Sequence, residues 1–421
     1  MKSIWFRRPI LSWALYDWAN SAFALTVMTS FIPVMNSGYW NDGAESAVTT
    51  FRLGLISGIS SLVVALIAPA IGALADRSGR RKRGVLIFTA MGVVMTGAMY
   101  LVAEGQWLIG MLCYLLASIG FAAGNSLYDS LLVDIASTDE YDRVSAYGFS
   151  LGYLGGALLF SVNVWMISAP GTFGLETPAD AVRVAFLMVA VWWAVFTVPL
   201  ALFVPEKTGA KPAPGAIRAA FGELFATLRS VRAQRDLWIF LLAYWLYIDG
   251  VYTIIKMAVD FGLAMNLNQE SLVLAILITN FIGFPAALTF GWIGDRFGAR
   301  NGLYASLSIY IVVTIAASTI STEAGFYALA IAIGLVQGGV QSLSRSFFAR
   351  LVPPGKTGEY FGFYNMLGKF AAILGPLLTG VVALITGSQR LGLLSILILL
   401  IGGLFLLSRV NLEDGAPVEN A

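Results

Sequence analysis

Apolar runs of about 20 residues, each long enough to cross a bilayer, recur along the chain and are broken by short polar stretches. Such runs predict helices near 10–35, 51–74, 84–103, 107–135, 144–168 and 182–204. A second set follows near 237–263, 270–293, 302–320, 325–349, 360–386 and 391–409. The interval 205–236 interrupts the series with Pro205, Pro212, Pro214 and six basic residues. Within it, "AIRAAFGELFATLRSV" sets Ile217, Phe221, Leu224, Phe225 and Leu228 on one face, the pattern of an amphipathic helix lying in the headgroup plane. The expected organisation is therefore six spans in 1–204, a cytoplasmic linker in 205–236, and six spans plus a short tail in 237–421.

Composition agrees with an all-α integral membrane protein. Of the 421 residues 58% are hydrophobic and 12% charged, and the mean hydropathy is +0.79. A soluble domain of this length would need far more charge to cover its surface. The net charge of +2 points to no nucleic acid or acidic partner. Cys113 is the single cysteine and His is absent, so disulfides, thiolate metal sites and the usual pH switch are not expected, nor is any cofactor. No Walker loop, serine elbow or HExxH pattern supports an enzyme. Lys and Arg gather at the N-terminus, in the even-numbered loops and at Arg409, whereas Arg52, Arg183 and Arg390 stand on the other side. The positive-inside rule then puts both termini in the cytoplasm.

The two sets of spans repeat each other. "GALADRSGRRKR" follows span 2 and "GWIGDRFGAR" follows span 8, so Gly72, Asp76, Arg77 and Gly79 correspond to Gly291, Asp295, Arg296 and Gly298. "AYGFS" opens span 5 as "YFGFY" opens span 11, and Trp13/Asp17 in span 1 matches Trp245/Asp249 in span 7. Parallel repeats of this kind build carriers with a site between the halves.

With these motifs the chain resembles the major facilitator superfamily, and "LYDWANSAFA" in span 1 resembles the opening of the autophagy-related vacuolar amino-acid effluxers and their bacterial relatives. The resemblance implies a carrier of two pseudo-symmetric six-helix bundles that alternates between inward- and outward-open states. It also implies amino acids or similar small metabolites as substrate. It makes the start of span 11 the neighbour of Asp76, a contact made in one access state and broken in the other. Gly72, Asp76, Arg77, Gly79, Arg80, Asp295 and Arg296 are the gating candidates, with Arg80–Arg83 also readable as topology and lipid contacts. Span 4 lacks an embedded Arg and "LGYLGGALL" in span 5 lacks Gly-Pro, unlike drug antiporters.

Charges inside a bilayer persist only if paired, hydrated or useful. Helical spacing puts Trp13, Asp17 and Asn20 on one face of span 1, with Tyr16 beside them. Trp245, Asp249, Tyr252 and Lys256 share a face of span 7. Asn125 and Asp129 lie one turn apart in span 4 beside Tyr128, and Gln337, Gln341 and Arg345 form a stripe on span 10. These residues are the expected substrate site, facing a water-filled cavity. Asp17 is expected to bind a substrate ammonium or to pair with Lys256 or Arg345. Trp13 and Tyr16 supply apolar wall and cation–π contact, and Arg345 the fork for a carboxylate. The competing reading is that these charges only pair with one another. Asp134 is expected among lipid headgroups, and Lys369 against lipid phosphate or span 10. Pro376 predicts a kink in span 11, and Trp40, Trp107 and Trp165 read as interface anchors.

Taken together the residues point to a secondary transporter of a small polar solute in the bacterial inner membrane. It is read as a monomer, driven by protons, sodium or neither. Drug or sugar transport, or sensing without transport, are the alternatives.

Overall fold

The computed structural model describes residues 4–41, 43–207, 228–264, 267–371 and 373–411, and of residues 259, 260 and 264 only the backbone. The amphipathic stretch expected at 216–231 lies outside the described residues except at its end, where 228–233 is helical.

Twelve helices long and apolar enough to cross a membrane are present: α1 (Arg8–Ser37), α2 (Ser46–Ser78), α3 (Arg81–Leu101), α4 (Trp107–Ile135), α5 (Thr138–Ser168), α6 (Pro178–Phe203), α7 (Arg235–Leu263), α8 (Gln269–Phe297), α9 (Ala299–Ala317), α10 (Glu323–Leu351), α11 (Thr357–Thr386) and α12 (Gln389–Ser408). No strand occurs among the described residues. Most helices run a few residues beyond the apolar runs, because capping residues outside those runs close the first turns. Thr177, Asn268, Thr322 and Ser388 each accept a backbone N–H at the start of α6, α8, α10 and α12.

Two helices depart from the expected regular form. In α1 the backbone widens to a π-helix over Phe23–Phe31, just before Pro33, which has no N–H to offer. The Thr29 and Ser30 hydroxyls donate five residues back, to the Ala24 and Leu25 carbonyls. In α11 the expected kink is a full break: Thr357–Phe370 ends and a new helix, Leu374–Thr386, starts with Pro376 in its first turn, where a missing N–H costs nothing.

α1 packs on α5 and α6, α3 on α4 and α6, and α2 on α4; in the second six, α8 and α9 pack on α10, and α7 and α9 on α12. The halves meet through α2 with α11, α5 with α8 and α10, and α4 with α11. Trp40 belongs to the core rather than a membrane interface: it is fully buried, stacks on Phe186 with centroids 6.0 Å apart, and lies against Gly110. Trp165, 58% exposed, keeps an outer position, and Trp107 lies under the Arg52 guanidinium at 3.8 Å.

Candidate functional site

Arg345, six residues before the end of α10, is 2% exposed. Its Nη1 donates to Asp129 Oδ1 on α4 at 2.9 Å and reaches Asp17 Oδ2 on α1 at 3.5 Å. Nε and Nη2 donate to the hydroxyl and carbonyl of Ser145 on α5, at 2.9 and 2.8 Å. One arginine from the second half thus joins three helices of the first. Its guanidinium carbon stands 4.7 Å from the Trp13 ring centre and 4.2 Å from that of Phe149. Gly148 makes this approach possible: a Cβ there would sit 2.5 Å from Asp17 Oδ2 and 3.1 Å from Arg345 Nη2.

The remaining polar groups at this level are held in place by neighbours. Tyr128 donates to Asp17 Oδ2 at 2.8 Å and stacks on Trp13 at 4.6 Å, while Trp13 Nε1 donates to the Tyr128 carbonyl. Asn20 donates to Asn125 at 2.7 Å, and Asn365 on α11 donates to the second Asp129 oxygen at 3.0 Å. Among the described residues Tyr16 makes no contact with a cation; it hydrogen-bonds Thr89 at 2.7 Å and packs on Tyr128. On α10, Gln341 accepts from Tyr153 of α5 at 2.6 Å, and Gln337 also faces that tyrosine. Tyr252 of α7 lies within electrostatic range of Asp129.

Three expectations need correcting. Arg345 is not a free carboxylate fork here, because each of its nitrogens already donates within the protein. Asp249 does not join the Asp17 group. It is fully buried, and its two oxygens accept the N–H groups of Leu374 and Gly375 at 3.0 and 2.9 Å, capping the second part of α11, with Thr253 donating at 3.3 Å. That position suits a carboxylate because the first amides of a helix are unpaired and its dipole is positive there. Asp134 is not left to headgroups: Arg81 donates to it at 2.8 Å and Lys207 lies 2.6 Å away. Trp245 stays half-buried with its Nε1 unpartnered among the described residues. Lys256 is exposed on α7, near Asp249 but without a hydrogen bond or ion pair among the described residues.

The gating candidates divide as well. Asp76 accepts the N–H groups of Gly358 and Glu359 at the start of α11, both at 2.9 Å, and also Arg81 Nε at 2.7 Å. Gly72 lets the backbones touch: a Cβ there would lie 2.0 Å from the Gly358 carbonyl oxygen. Gly79 closes α2 with φ +66°, and its counterpart Gly298 also has positive φ. Asp295 pairs with Arg143 on α5. Arg296 instead covers the rings of Trp292 and Phe297 in its own helix. Arg80 provides the residue before α3, and Arg77 lies in the last turn of α2.

Sequence reasoning missed Ser145, Gly148, Asn365, Asp142 and Arg350, and read Arg81 only within the basic run Arg80–Arg83. Arg350 grips both oxygens of Asp142 at 2.8 and 2.9 Å across the halves, beside a Ser346–Asp142 hydrogen bond. Arg350 sits five residues after Arg345, and Asp142 lies in the first turn of the helix that begins at Tyr141. All these cross-half bonds lie toward the end of the bundle that carries the Arg80–Arg83 loop.

A family model described as "Vacuole effluxer Atg22 like" matches residues 42–141 and 133–419. The uncharacterized MFS-type transporter YxiO of Bacillus subtilis (strain 168) is 36% identical over 98% of this chain and 97% of its own. Autophagy-related protein 22-1 of Penicillium rubens is 23% identical over 97% of this chain and 90% of its own. Among solved structures, the human organic anion transporter MFSD10 superposes with a TM-score of 0.74 at 15% identity, covering 95% of this chain and 99% of that one. The proton:xylose symporter XylE gives 0.75 at 11% identity, covering 96% and 95%. These two likenesses establish the major facilitator fold of paired six-helix bundles.

Proposed function

The chain belongs to the Atg22-like vacuole effluxer family, whose members include MFS-type transporters, and from that premise we propose that it is a secondary carrier moving a small polar solute, in the first instance an amino acid, by alternating access. The observation that carries this reading is Arg345 of the second half closing on Asp17 and Asp129 of the first. Opening the basic end separates them and strands two carboxylates at membrane depth. Removing one partner from a buried ion pair costs about 3–5 kcal/mol. Opening is then favourable only when another cation takes the place of Arg345, and a substrate ammonium, a proton or a sodium ion meets that need. Asp17 and Asp129 are thus both lock and binding site, with Asn20, Asn125, Tyr128, Gln337 and Gln341 around them.

The basic loops support a cytoplasmic basic end with both termini inside, in the inner membrane, and the carrier is read as a monomer. Counterflow of labelled amino acids by purified protein in proteoliposomes tests the reading. Asp17→Asn is expected to lower it about tenfold or more, the weight of one charged hydrogen-bond network, with membrane insertion unchanged. Undiminished counterflow removes Asp17 from the site. Saturable binding without counterflow replaces the carrier by a sensor.

A further inference from the structure

The groups that hold the Arg345 guanidinium all belong to the first half. Asp129 on α4 accepts from Nη1 at 2.9 Å, and Ser145 on α5 accepts Nε on its hydroxyl at 2.9 Å and Nη2 on its carbonyl at 2.8 Å. Rings stand around the guanidinium carbon, their centres at 4.2 Å for Phe149 on α5, 4.7 Å for Trp13 on α1 and 5.7 Å for Tyr128 on α4. Asp17 on α1 is the weaker partner, 3.5 Å from Nη1. The slot exists because residue 148 is glycine: a Cβ there would fall 2.5 Å from Asp17 Oδ2, 2.9 Å from the Trp13 ring and 3.1 Å from Nη2.

This cradle is braced within its own half. Trp13 stacks on Tyr128 at 4.6 Å, its Nε1 donates to the Tyr128 carbonyl at 3.1 Å, and Tyr128 donates to Asp17 Oδ2 at 2.8 Å. From the second half, Asn365 donates to the other Asp129 oxygen at 3.0 Å, and the Ser342 carbonyl accepts from the Ser145 hydroxyl at 2.8 Å. When the basic end opens, Arg345 leaves with α10 and the cradle stays behind. Asp17 and Asp129 then lose their one ion-pair partner among the described residues, while Ser145 loses the donors that met its hydroxyl and carbonyl. What remains has the form of a guanidinium site. Three nitrogens of Arg345 serve three acceptors, a division that a planar fork makes and a single ammonium nitrogen does not, and flat rings line the place where the plane lay.

We infer that Arg345 is a tethered stand-in for the solute: with the basic end open, the cradle of Trp13, Asp17, Tyr128, Asp129, Ser145 and Phe149 takes the guanidinium of a free solute such as arginine. This rests on the carrier reading and narrows its substrate class from amino acids in general to those that bear a guanidinium. Solute and Arg345 compete for one place. A solute without that group leaves the carboxylates unpaired, and the basic end closes again on Arg345.

L-Arginine is compared with L-citrulline, which has the same length but a neutral urea in place of the guanidinium, and with L-lysine, which has the charge without the plane. Binding is read as thermal stabilisation of the purified full-length protein, and transport as counterflow in proteoliposomes. The unaltered protein is expected to bind arginine about ten- to a hundredfold more tightly than citrulline, the range of one charge-assisted hydrogen bond. Its margin over lysine should be about threefold or more, the weight of ring contact with the guanidinium. Phe149→Leu should erase the margin over lysine, and Phe149→Tyr should keep it. Arg345→Gln removes the competitor and should tighten arginine binding, since the cradle is then vacant in every molecule. The two positions lie on different helices, so either decides the matter if the other variant does not fold. The inference is overturned if the unaltered protein binds citrulline or lysine as tightly as arginine, if Phe149→Leu keeps the margin over lysine, or if Arg345→Gln weakens arginine binding. A preference for arginine without counterflow removes the carrier reading alone. Counterflow of L-leucine with no response to arginine removes the guanidinium site and leaves the carrier.

Discussion

The two copies of the loop motif after α2 and α8 do the same task by different means. Asp76 reaches across the halves to two backbone N–H groups at the start of α11. Asp295, its repeat partner, reaches across to a side chain, Arg143, near the start of α5. The reason lies in the receiving helix. α11 begins after Lys356, which supplies no side-chain cap, so its first amides are open to a carboxylate from outside. α5 begins with a capping box in which Ser137 and Glu140 satisfy each other's backbone N–H groups. The close approach differs too. Gly72 faces the bare backbone of Gly358, while Gly291 faces the Ala146 methyl, 2.5 Å from where a Cβ would sit. The first contact is buried and built on backbone. The second is partly exposed, with side chains 43% and 23% accessible. A repeated motif therefore makes a firm latch on one side and a weaker, salt-sensitive one on the other.

Four substitutions break or sharpen this contrast, read as the fraction of molecules closed at the basic end from spin-label distances between the α2–α3 and α10–α11 loops. The largest effect is expected from Asp76→Ala, which removes two charge-assisted bonds to α11 and one to Arg81. At about 1.5–3 kcal/mol, closure should fall by roughly ten- to a hundredfold; a change below twofold would make the two latches equivalent. Gly72→Ala follows, since overpacking against fixed backbone costs about 1–3 kcal/mol, and it should open the same end with Asp76 still present. Giving α11 its own cap with Lys356→Ser in the Asp76→Ala background should recover about 1 kcal/mol; no recovery would mean that capping is not what Asp76 supplies. The smallest effect is expected from Asp295→Ala, about 0–1 kcal/mol and shrinking as salt is raised. A salt-independent loss as large as that of Asp76→Ala would overturn the comparison.

A second pair of repeated residues shows how far the sequence could be read. Asp17 and Asp249 each follow a Trp by four positions, and nothing along the chain separates them. In the fold, Asp17 meets Arg345, whereas Asp249 caps a half-helix made by the break before Leu374. Pro376 announced an irregularity in α11, but not that a carboxylate from α7 would close it. The polar stripe Gln337, Gln341 and Arg345 was legible as a face, and the structure turns that face onto α5 through Tyr153 and Ser145. The latch between Asp142 and Arg350 was missed because each residue, taken alone, looks like loop charge.

The sequence by itself determined the number and approximate position of the spans, their two-fold repetition, and the helix faces on which the polar groups lie. Bilayer thickness and the 3.6-residue turn act along one chain and leave a periodic trace in it. Which carboxylate meets which cation was decided only in three dimensions. Ion pairs and caps need atoms brought within about 3 Å, and that placement depends on the packing of helices far apart in the chain, through glycines such as Gly72 and Gly148, whose neighbours no single stretch of sequence names.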